Sequence, residues 1–327
     1  MRNTIQDCGG IFLFEKKVVD FILQDQKIIS VKTADGNSFD ADAFILATGH
    51  SARDIFELLH QKQILIEAKG FALGVRIEHP QQLIDSIQYH CPVRGTFLPP
   101  ASYSLVKQVN ERGVFSFCMC PGGIIAPAAT AAGELVVNGW SPSKRNNPFA
   151  NSGMVVQVEL EDVIQNSPQG PVGKLKIKND ALAMMHFQQM VEQNCFNAGG
   201  GKFVAPAQRM VDFSNGITSS SLPACSYQPG LQSVHLKEVL PGFVYQALAK
   251  GFIEFGKKMS GYFTNDAVVV ATESRTSSPV RIPRNNDTLT HPQLNNFYPC
   301  GEGAGYAGGI VSAAMDGERV AGQIAFC

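Results

Sequence analysis

An α/β fold, in which a discontinuous domain surrounds an inserted mixed β/α segment, is expected from three features of this sequence. An apolar run, a glycine turn and a helical pattern follow one another over residues 44–61. A short strand, a glycine-rich turn and a helix also end the chain, over residues 297–327. The residues between them mix β-type runs with two long helical patterns. We therefore expect one domain from residues 1–60 and 266–327 and an inserted domain from residues 61–265.

Composition argues against several kinds of partner. The 327 residues are 44% hydrophobic and 17% charged, so a sizeable core can be buried. Lys and Arg number 27 against 28 Asp and Glu, without a long run of like charge, which predicts no nucleic-acid partner. The amino terminus lacks the pattern of a signal peptide, and no window approaches the ~18 apolar residues of a membrane span. We expect a cytoplasmic protein with no membrane partner.

The amino-terminal strands are predicted from three β-rich runs within residues 16–48. Asp-Gly-Asn at residues 35–37 indicates a hairpin, because Gly and Asn tolerate positive φ. Residues 44–47 are apolar without alternation, which is typical of a strand buried on both faces of a parallel sheet. Thr-Gly-His at residues 48–50 then leads into a helix with Ser51 as its expected N-cap. This order is typical of a nucleotide-binding α/β unit.

The middle of the chain suits a domain that covers a substrate, although no pattern in it identifies the substrate. Helices are predicted at residues 181–196 and 240–259. Strands are predicted over five runs, at residues 71–78, 102–109, 114–120, 134–140 and 154–160.

No metal or nucleophile motif stands out among the reactive side chains. The eight cysteines are scattered, and the single close pair, Cys118 and Cys120, lacks the spacing of a zinc or redox site. If residues 114–120 form a strand, both sulfurs share one face and ordinary packing explains them. The histidines are dispersed and show no Ser-His-Asp order. We expect no metal.

The carboxyl-terminal stretch GEGAGYAGGIVSAAMDG contains G-x-G-x-x-G at Gly303, Gly305 and Gly308. A complete dinucleotide fingerprint needs a second strand and an acidic residue further on, and the remaining residues provide one helix only. The local physics persists, because free N–H groups at a helix start bind anionic or electron-rich groups. Gly305, Gly308 and Gly309 can adopt positive φ, and Glu302 can accept hydrogen bonds from a sugar-like hydroxyl. The alternative is a tight strand-to-helix turn without a ligand.

These two units together resemble FAD-dependent oxidoreductases of the two-dinucleotide-binding-domain type, and most closely a bacterial family of FAD-dependent dehydrogenases. The resemblance rests on long stretches across nearly the whole chain. They are ILATGHSARDIFELL, FALGVRIEHPQQLID, FSFCMCPGG, VVNGWSPSKRNNPFANSG, APAQRMVDF, ESRTSSPVRI and GEGAGYAGGIVSAAMDGERVA.

The resemblance implies FAD as cofactor and assigns roles to both glycine turns. Residues 47–49 would pass the FAD phosphate and ribityl region, and Glu302 would bind a ribityl hydroxyl or a water beside the pyrophosphate. The helix start at residues 308–310 would aim N–H groups at the pyrimidine edge of the flavin. The implied cofactor-binding residues are Ala47, Thr48, Gly49, Gly301, Glu302, Gly303, Gly305, Gly308, Gly309 and Ile310.

Two further residues near these motifs have open interpretations. The loop at residues 273–282 would lie near the isoalloxazine ring, and Arg275 there is the candidate catalytic residue, stabilising a reduced flavin or an anionic substrate. Arg275 is equally well interpreted as a loop arginine paired with nearby carboxylates. For His50, helix capping or solvent exposure is favoured over catalysis.

The chain departs from the family at its beginning, where members carry a strand–GxGxxG–helix and a ribose-binding acidic residue before the equivalent of Met1. The resemblance therefore implies an incomplete Rossmann-like FAD-binding domain and a carboxyl-terminal fragment or truncated product. The sheet containing residues 44–47 should have an apolar edge. FAD affinity of the chain alone should be poor or nil.

Three functions follow from these observations. The first is an FAD-dependent oxidoreductase that transfers hydride between flavin and a small organic substrate, with NAD(P)H as a candidate electron donor. The second is a catalytically incomplete binding or scaffold remnant of such a flavoprotein. The third is a flavin-dependent tRNA-modifying enzyme, which the near-neutral charge disfavours. The substrate is not identified by the sequence.

Overall fold

The computed structural model describes residues 1–165 and 180–325, and the chain divides into two compact units. The split unit comprises Met1–Glu67 and Arg281–Cys327, and the central unit comprises Ala68–Val280. The assignment of the split unit to cofactor binding, and of the central unit to the substrate, stays a prediction.

The helices and strands of the described residues have the following bounds. The α-helices are α1 (Arg2–Asp7), α2 (Arg53–Gln61), α3 (Gln81–Tyr89), α4 (Leu160–Gln165), α5 (Ala183–Ala198), α6 (Met210–Asn215), α7 (Gly242–Lys258) and α8 (Ile310–Ala325), with a 3₁₀ turn at Leu236–Glu238. The first strands are β1 (Val18–Gln24), β2 (Lys27–Thr33), β3 (Ser38–Asp40), β4 (Phe44–Leu46), β5 (Glu67–Ala68), β6 (Phe71–Pro80), β7 (Val106–Val109) and β8 (Arg112–Pro121). The remaining strands are β9 (Ile124–Ala128), β10 (Val136–Trp140), β11 (Phe149–Val158), β12 (Ala205–Arg209), β13 (Leu231–Ser233), β14 (Val268–Glu273), β15 (Val280–Arg281) and β16 (Phe297–Pro299).

In the split unit, β1, β2 and β3 form a three-stranded antiparallel sheet. The hairpin predicted from Asp-Gly-Asn is confirmed, because β2 and β3 pair on either side of Gly36, which has φ 85°. The carboxylate of Asp35 stabilises this turn by accepting hydrogen bonds from Thr33 Oγ1 at 2.5 Å and Asn37 Nδ2 at 2.8 Å. Such Asx turns are a common use of Asp between strands.

A two-stranded parallel sheet, formed by β4 and β16, is the second sheet of the split unit. The predicted parallel pairing of residues 44–46 is therefore observed. Their predicted burial on both faces is wrong, because the side chain of Ile45 is 47% exposed. Within the described residues, β4 pairs only with β16, so the other edge of β4 has no strand partner.

The central unit is built on a seven-stranded mixed sheet of order β13-β12-β14-β6-β11-β8-β7. Every neighbouring pair is antiparallel except β12 and β13. Four of the five β runs predicted for the middle of the chain overlap β6, β8, β10 and β11. The fifth, at residues 102–109, is a strand only over Val106–Val109. The sheet confirms the α/β class, in its mixed rather than purely parallel form.

Helices α5 and α7 confirm the two long helical patterns and pack on this sheet. Along α7, Val244, Leu248, Phe252 and Phe255 recur every three or four residues and are all fully buried. Lys257 and Lys258 lie in the last turn of α7, where a positive charge interacts favourably with the helix dipole.

A bulge in β8 corrects the expectation for the two neighbouring cysteines. The pairing of β11 with β8 shifts register between Asn151 and Gly153, so that Asn151 pairs with Cys120 and Gly153 pairs with Phe117. Cys118 adopts φ 44° at this shift and is exposed, whereas Cys120 is buried. The extra residue of a β-bulge interrupts the alternation of side chains, and the two sulfurs therefore differ in environment.

Candidate functional site

The parallel pairing of β4 with β16 brings the two ends of the chain to one edge of a sheet. Phe44 pairs with Phe297 and Leu46 with Pro299, and Cys300 N donates to Leu46 O at 2.9 Å. Parallel strands present their carboxyl ends at the same edge, where ligands of open α/β sheets bind. The residues that follow each strand, 47–49 and 301–303, therefore lie beside one another.

The contact between the two turns is made by bare backbone. A Cβ added at Gly303 would lie 2.4 Å from the carbonyl oxygen of Gly49 and 2.9 Å from its nitrogen. Only glycine permits backbone segments to approach so closely. The two turns that the sequence analysis assigned to one cofactor thus form one continuous surface, which we call the glycine edge (residues 47–49 and 301–310).

Three glycines of the glycine edge have room for a side chain, and two of them, Gly49 and Gly308, are accessible to solvent, whereas Gly301 is buried. No heavy atom lies within 4 Å of a Cβ added at Gly49, Gly301 or Gly308. Gly49 and Gly301 have φ values of 77° and 73°, which an L side chain rarely adopts. Gly305 also has a positive φ, of 84°, whereas Gly308 and Gly309, for which the sequence allowed it, do not. Backbone that is open and free of side chains is suited to a ligand that lies flat against it.

Two polar side chains lie close together here, those of His50 beside the glycine edge and Glu302 within it. His50 Nδ1 lies 3.2 Å from Glu302 Oε2, and both side chains are partly exposed, at 22% and 28%. His50 does not cap helix α2, which begins after Ala52 without a side-chain cap. The expected N-cap, Ser51, is wrong as well, because the N-cap position is occupied by Ala52 and the helix begins at Arg53. The carbonyl oxygen of Ser51 accepts a hydrogen bond from Arg53 N.

Helix α8 begins at the same edge. Gly308 N donates to Ser312 Oγ at 3.2 Å, and Ala313 N donates to Gly309 O at 2.9 Å. The N–H groups of the first turn of α8, which begins at Ile310, have no intrahelical carbonyl partners. Ile310 is 92% exposed, so the start of the helix is open to a ligand.

Asp316, on helix α8, holds the backbone of the glycine edge at Gly301. This residue was not predicted from the sequence. Its carboxylate accepts a hydrogen bond from Gly301 N at 2.8 Å and forms a two-pronged ion pair with Arg284, at 2.5 and 3.0 Å. Arg284 also donates to Pro299 O at 2.8 Å. Burial acts to raise the pKa of Asp316, but the hydrogen bonds from Arg284 and Gly301 outweigh it and the pKa is lowered. The burial of Cys300, together with the neighbouring Asp316, raises the pKa of that thiol to about 11.

Tyr306 completes the support of the glycine edge. Tyr306 N donates to Gly301 O at 3.1 Å, and the Tyr306 hydroxyl accepts a hydrogen bond from Arg284 N at 2.9 Å. The guanidinium carbon of Arg284 lies 3.9 Å from the centre of the Tyr306 ring, and that of Arg281 lies 4.8 Å from it. Such contacts fix both the ring and the cations. Asp316 and Arg281 both lie within stretches that carry the family resemblance. The spacing of residues in those stretches does not identify either of them as part of a site.

Arg275 belongs to the central unit, where it forms a buried ion pair. Arg275 Nη2 lies 2.8 Å from Glu192 Oε2 and 2.5 Å from Thr130 Oγ1, and its side chain is only 7% exposed. The other oxygen of Glu192 accepts a hydrogen bond from Ser274 Oγ at 2.6 Å. The structure therefore contains the carboxylate pairing that the sequence analysis weighed equally with a catalytic role.

Neither a metal cluster nor a membrane span is found in the described parts of the chain. In residues 1–165 and 180–325, no three His, Cys, Asp or Glu side chains are grouped so as to hold a metal ion. Over the same residues, each helix is too short or too polar to cross a bilayer.

Comparison with known proteins assigns the chain to a family. The family described as "FAD-dependent protein, C-terminal domain-like" matches residues 70–276, which is more than half of the sequence. The chain therefore belongs to this family of FAD-dependent proteins, and its cofactor is FAD. The match lies within the central unit, so the assignment of individual residues of the glycine edge to FAD stays a prediction.

A relative shows how the chain compares in length. An uncharacterized protein of Clostridium beijerinckii is 42% identical over 328 residues. The alignment covers 99% of this chain and 59% of the Clostridium protein. The chain thus spans less than two thirds of that relative.

Proposed function

We propose that this chain is part of an FAD-dependent oxidoreductase that transfers hydride between flavin and a small organic substrate, and that the glycine edge holds the FAD. The observation that carries the proposal is the contact of Gly303 with Gly49, which joins two glycine turns at the carboxyl edge of parallel strands. A dinucleotide fits such an edge, because open backbone and helix N–H groups can receive a phosphate and the partly exposed carboxylate of Glu302 can accept a hydrogen bond from a sugar hydroxyl.

Individual residues of the glycine edge have distinct tasks in this proposal. Gly49 and Gly308, which are accessible to solvent and have open space where a Cβ would lie, let the ligand approach the main chain. Glu302 accepts a hydrogen bond from a ribityl hydroxyl, and His50, 3.2 Å from Glu302 Oε2, orients that carboxylate. The first turn of α8 places N–H groups against the electron-rich edge of the ring. Bound FAD supplies the hydride-transfer chemistry.

The ion pair of Arg275 limits its part in this function. Release of its guanidinium would leave the fully buried Glu192 without this cation, which is costly in a protein interior. We therefore propose that Arg275 positions its own loop, and that direct contact with substrate would need a rearrangement of this ion pair.

Titration of the full chain with FAD, followed by flavin fluorescence, tests the proposal. Of the two outcomes expected from the sequence, poor or nil affinity, the assembled glycine edge favours the first, so we expect weak but saturable binding. We expect Glu302→Ala to lower the affinity by about tenfold, since a hydrogen bond to a charged group is lost. Glu318→Ala is the matched control, because Glu318 is an exposed carboxylate on α8 outside the glycine edge. FAD binding that does not saturate at millimolar concentrations would contradict the proposal.

Anaerobic addition of NADPH to the FAD-loaded chain separates the oxidoreductase from a scaffold remnant. Loss of the flavin absorbance is expected if the site delivers hydride to the cofactor. A chain that binds FAD saturably but keeps the flavin absorbance with both NADPH and NADH would favour the non-catalytic binding protein.

A further inference from the structure

Arg281 presents an exposed guanidinium beside the glycine edge. Its guanidinium carbon lies 4.8 Å from the centre of the Tyr306 ring, and Arg281 itself is exposed. The next residue, Ile282, donates its N–H to Ala304 O at 3.2 Å, and Tyr306 N donates to Gly301 O. The arginine and the ring on which it rests are therefore both attached to the loop at residues 301–306.

The guanidinium of the neighbouring Arg284 has protein partners, whereas that of Arg281 can bind a ligand. Arg284 gives its guanidinium to Asp316 and to Pro299 O. In the part of the chain that the structure describes, Arg281 has no carboxylate within ion-pair distance and its side chain makes no hydrogen bond. Contact with an aromatic ring restricts a guanidinium while its N–H groups remain unused. Such a cation is prepared to meet an anion.

The chemistry of the surroundings favours a phosphate oxyanion. The planar fork of a guanidinium donates two parallel hydrogen bonds to phosphate oxygens, which a lysine ammonium does not match. Gly49, which contacts Gly303 of this loop, is partly exposed, has a positive φ and has no heavy atom within 4 Å of an added Cβ, so a bulky anion can lie against the backbone there. We propose that Arg281 binds the diphosphate of a dinucleotide at the glycine edge, an inference that rests on the proposed function.

Two dinucleotides carry this diphosphate in the proposed reaction, FAD and NAD(P)H. Riboflavin has the same ring and ribityl chain as FAD but no phosphate. A comparison of the three ligands therefore separates a diphosphate contact from a general effect on the loop, and it identifies the dinucleotide that uses Arg281.

The test is a fluorescence titration of full-length Arg281→Gln and Arg281→Lys with FAD, riboflavin and NADPH. We expect R281Q to weaken FAD binding by about tenfold or more without a change for riboflavin, and R281K to lie between R281Q and wild type. Arg319→Gln is the matched control, because Arg319 is an exposed arginine of the same unit that donates to Asn286 O at 2.8 Å. Melting curves verify that all variants are folded.

Each other outcome decides the question. Weaker NADPH binding with unchanged FAD binding supports the diphosphate contact and assigns it to the nicotinamide nucleotide. Equal losses for FAD and riboflavin, or affinities of R281Q that equal those of R319Q, overturn the role of Arg281 and leave the FAD proposal standing. A wild-type chain that binds neither flavin overturns the proposed function, and the inference with it.

Discussion

Gly303 is the residue at which the two turns of the candidate site meet. Its missing side chain is what allows the carbonyl oxygen of Gly49 to come within 2.4 Å of the position of a Cβ. Gly308, only a few residues away, has open space at the same position. Glycines that look alike in the sequence therefore have different structural tasks.

We expect Gly303→Ala to destabilise the fold by about 1–3 kcal/mol, because backbone must move to admit the methyl group. The free energy of unfolding from denaturant titration measures this loss. Gly308→Ala is the matched control and should leave the stability nearly unchanged, since no heavy atom lies within 4 Å of the added Cβ. Equal stabilities of the two variants would show that the turns do not touch as described.

The difference between Arg275 and Arg281 also belongs to single residues. Both lie in the stretch ESRTSSPVRI, and both are positively charged at neutral pH. Arg275 forms an ion pair with the buried carboxylate of Glu192, whereas Arg281 lies over the ring of Tyr306 and is exposed. A sequence pattern identifies the stretch, but the partner of each guanidinium comes from residues far away in the chain.

Among the elements, helix α8 depends on polar anchoring more than on apolar packing. Val320 is its one buried residue within Ile310–Ala325, and Ile310, Val311 and Met315 are largely exposed. Asp316 connects this helix to Gly301, which follows β16, and to Arg284. Asp316 is therefore the polar contact that connects α8 directly to the glycine edge.

We expect Asp316→Asn to lower the free energy of unfolding at pH 7 by about 1–3 kcal/mol, because the ion pair with Arg284 is lost. The lowered pKa of Asp316 means that its carboxylate stabilises the fold above the ordinary Asp value of about 3.9. That stabilisation disappears as the pH falls through the lower folded-state pKa.

The difference in stability between wild type and D316N should consequently shrink as the pH is lowered from neutral into this acidic window. Denaturant titrations at several pH values measure it, with Glu318→Gln as a control for an exposed carboxylate on the same helix. A difference that stays constant down to the lowest pH would exclude the ionised carboxylate as its source.

For the chain as a whole, the proposed cofactor site draws on both ends of the sequence within one unit. Residues 47–49 and 301–310 belong to the split unit, and the sheet of the central unit separates them along the chain. A ligand bound at the glycine edge should protect these two segments together, because both are parts of one surface.

Hydrogen exchange with and without FAD tests this expectation. Slower exchange is expected in peptides that cover residues 47–49 and 301–310, and Glu302→Ala should reduce this protection at equal FAD concentration. Peptides from β6, whose residues are almost all buried, are the internal reference and should not change. Protection that appears only in the central unit would move the cofactor site away from the glycine edge.

Local sequence patterns predicted most helices and strands, but they predicted few of the contacts and little of the burial of individual side chains. The Asp-Gly-Asn turn and the helical spacing of α5 and α7 are properties of neighbouring residues, so they could be found without a structure. Two predictions were wrong, the burial of Ile45 and the common face of Cys118 and Cys120. The first depends on the strands that pair with β4, and the second on the bulge in β8. Asp316 escaped notice since its hydrogen bonds join segments that no periodicity relates.

The sequence by itself determined the α/β elements, the positions of the glycine turns and the resemblance to FAD-dependent proteins, since these depend on local conformation and on motif. Only the tertiary structure decided that Gly303 lies on Gly49, that Asp316 holds Gly301, and that Arg281 rather than Arg275 is exposed. The physical reason is that ion pairing, burial and backbone contact arise between residues that the fold, and not the chain, makes neighbours.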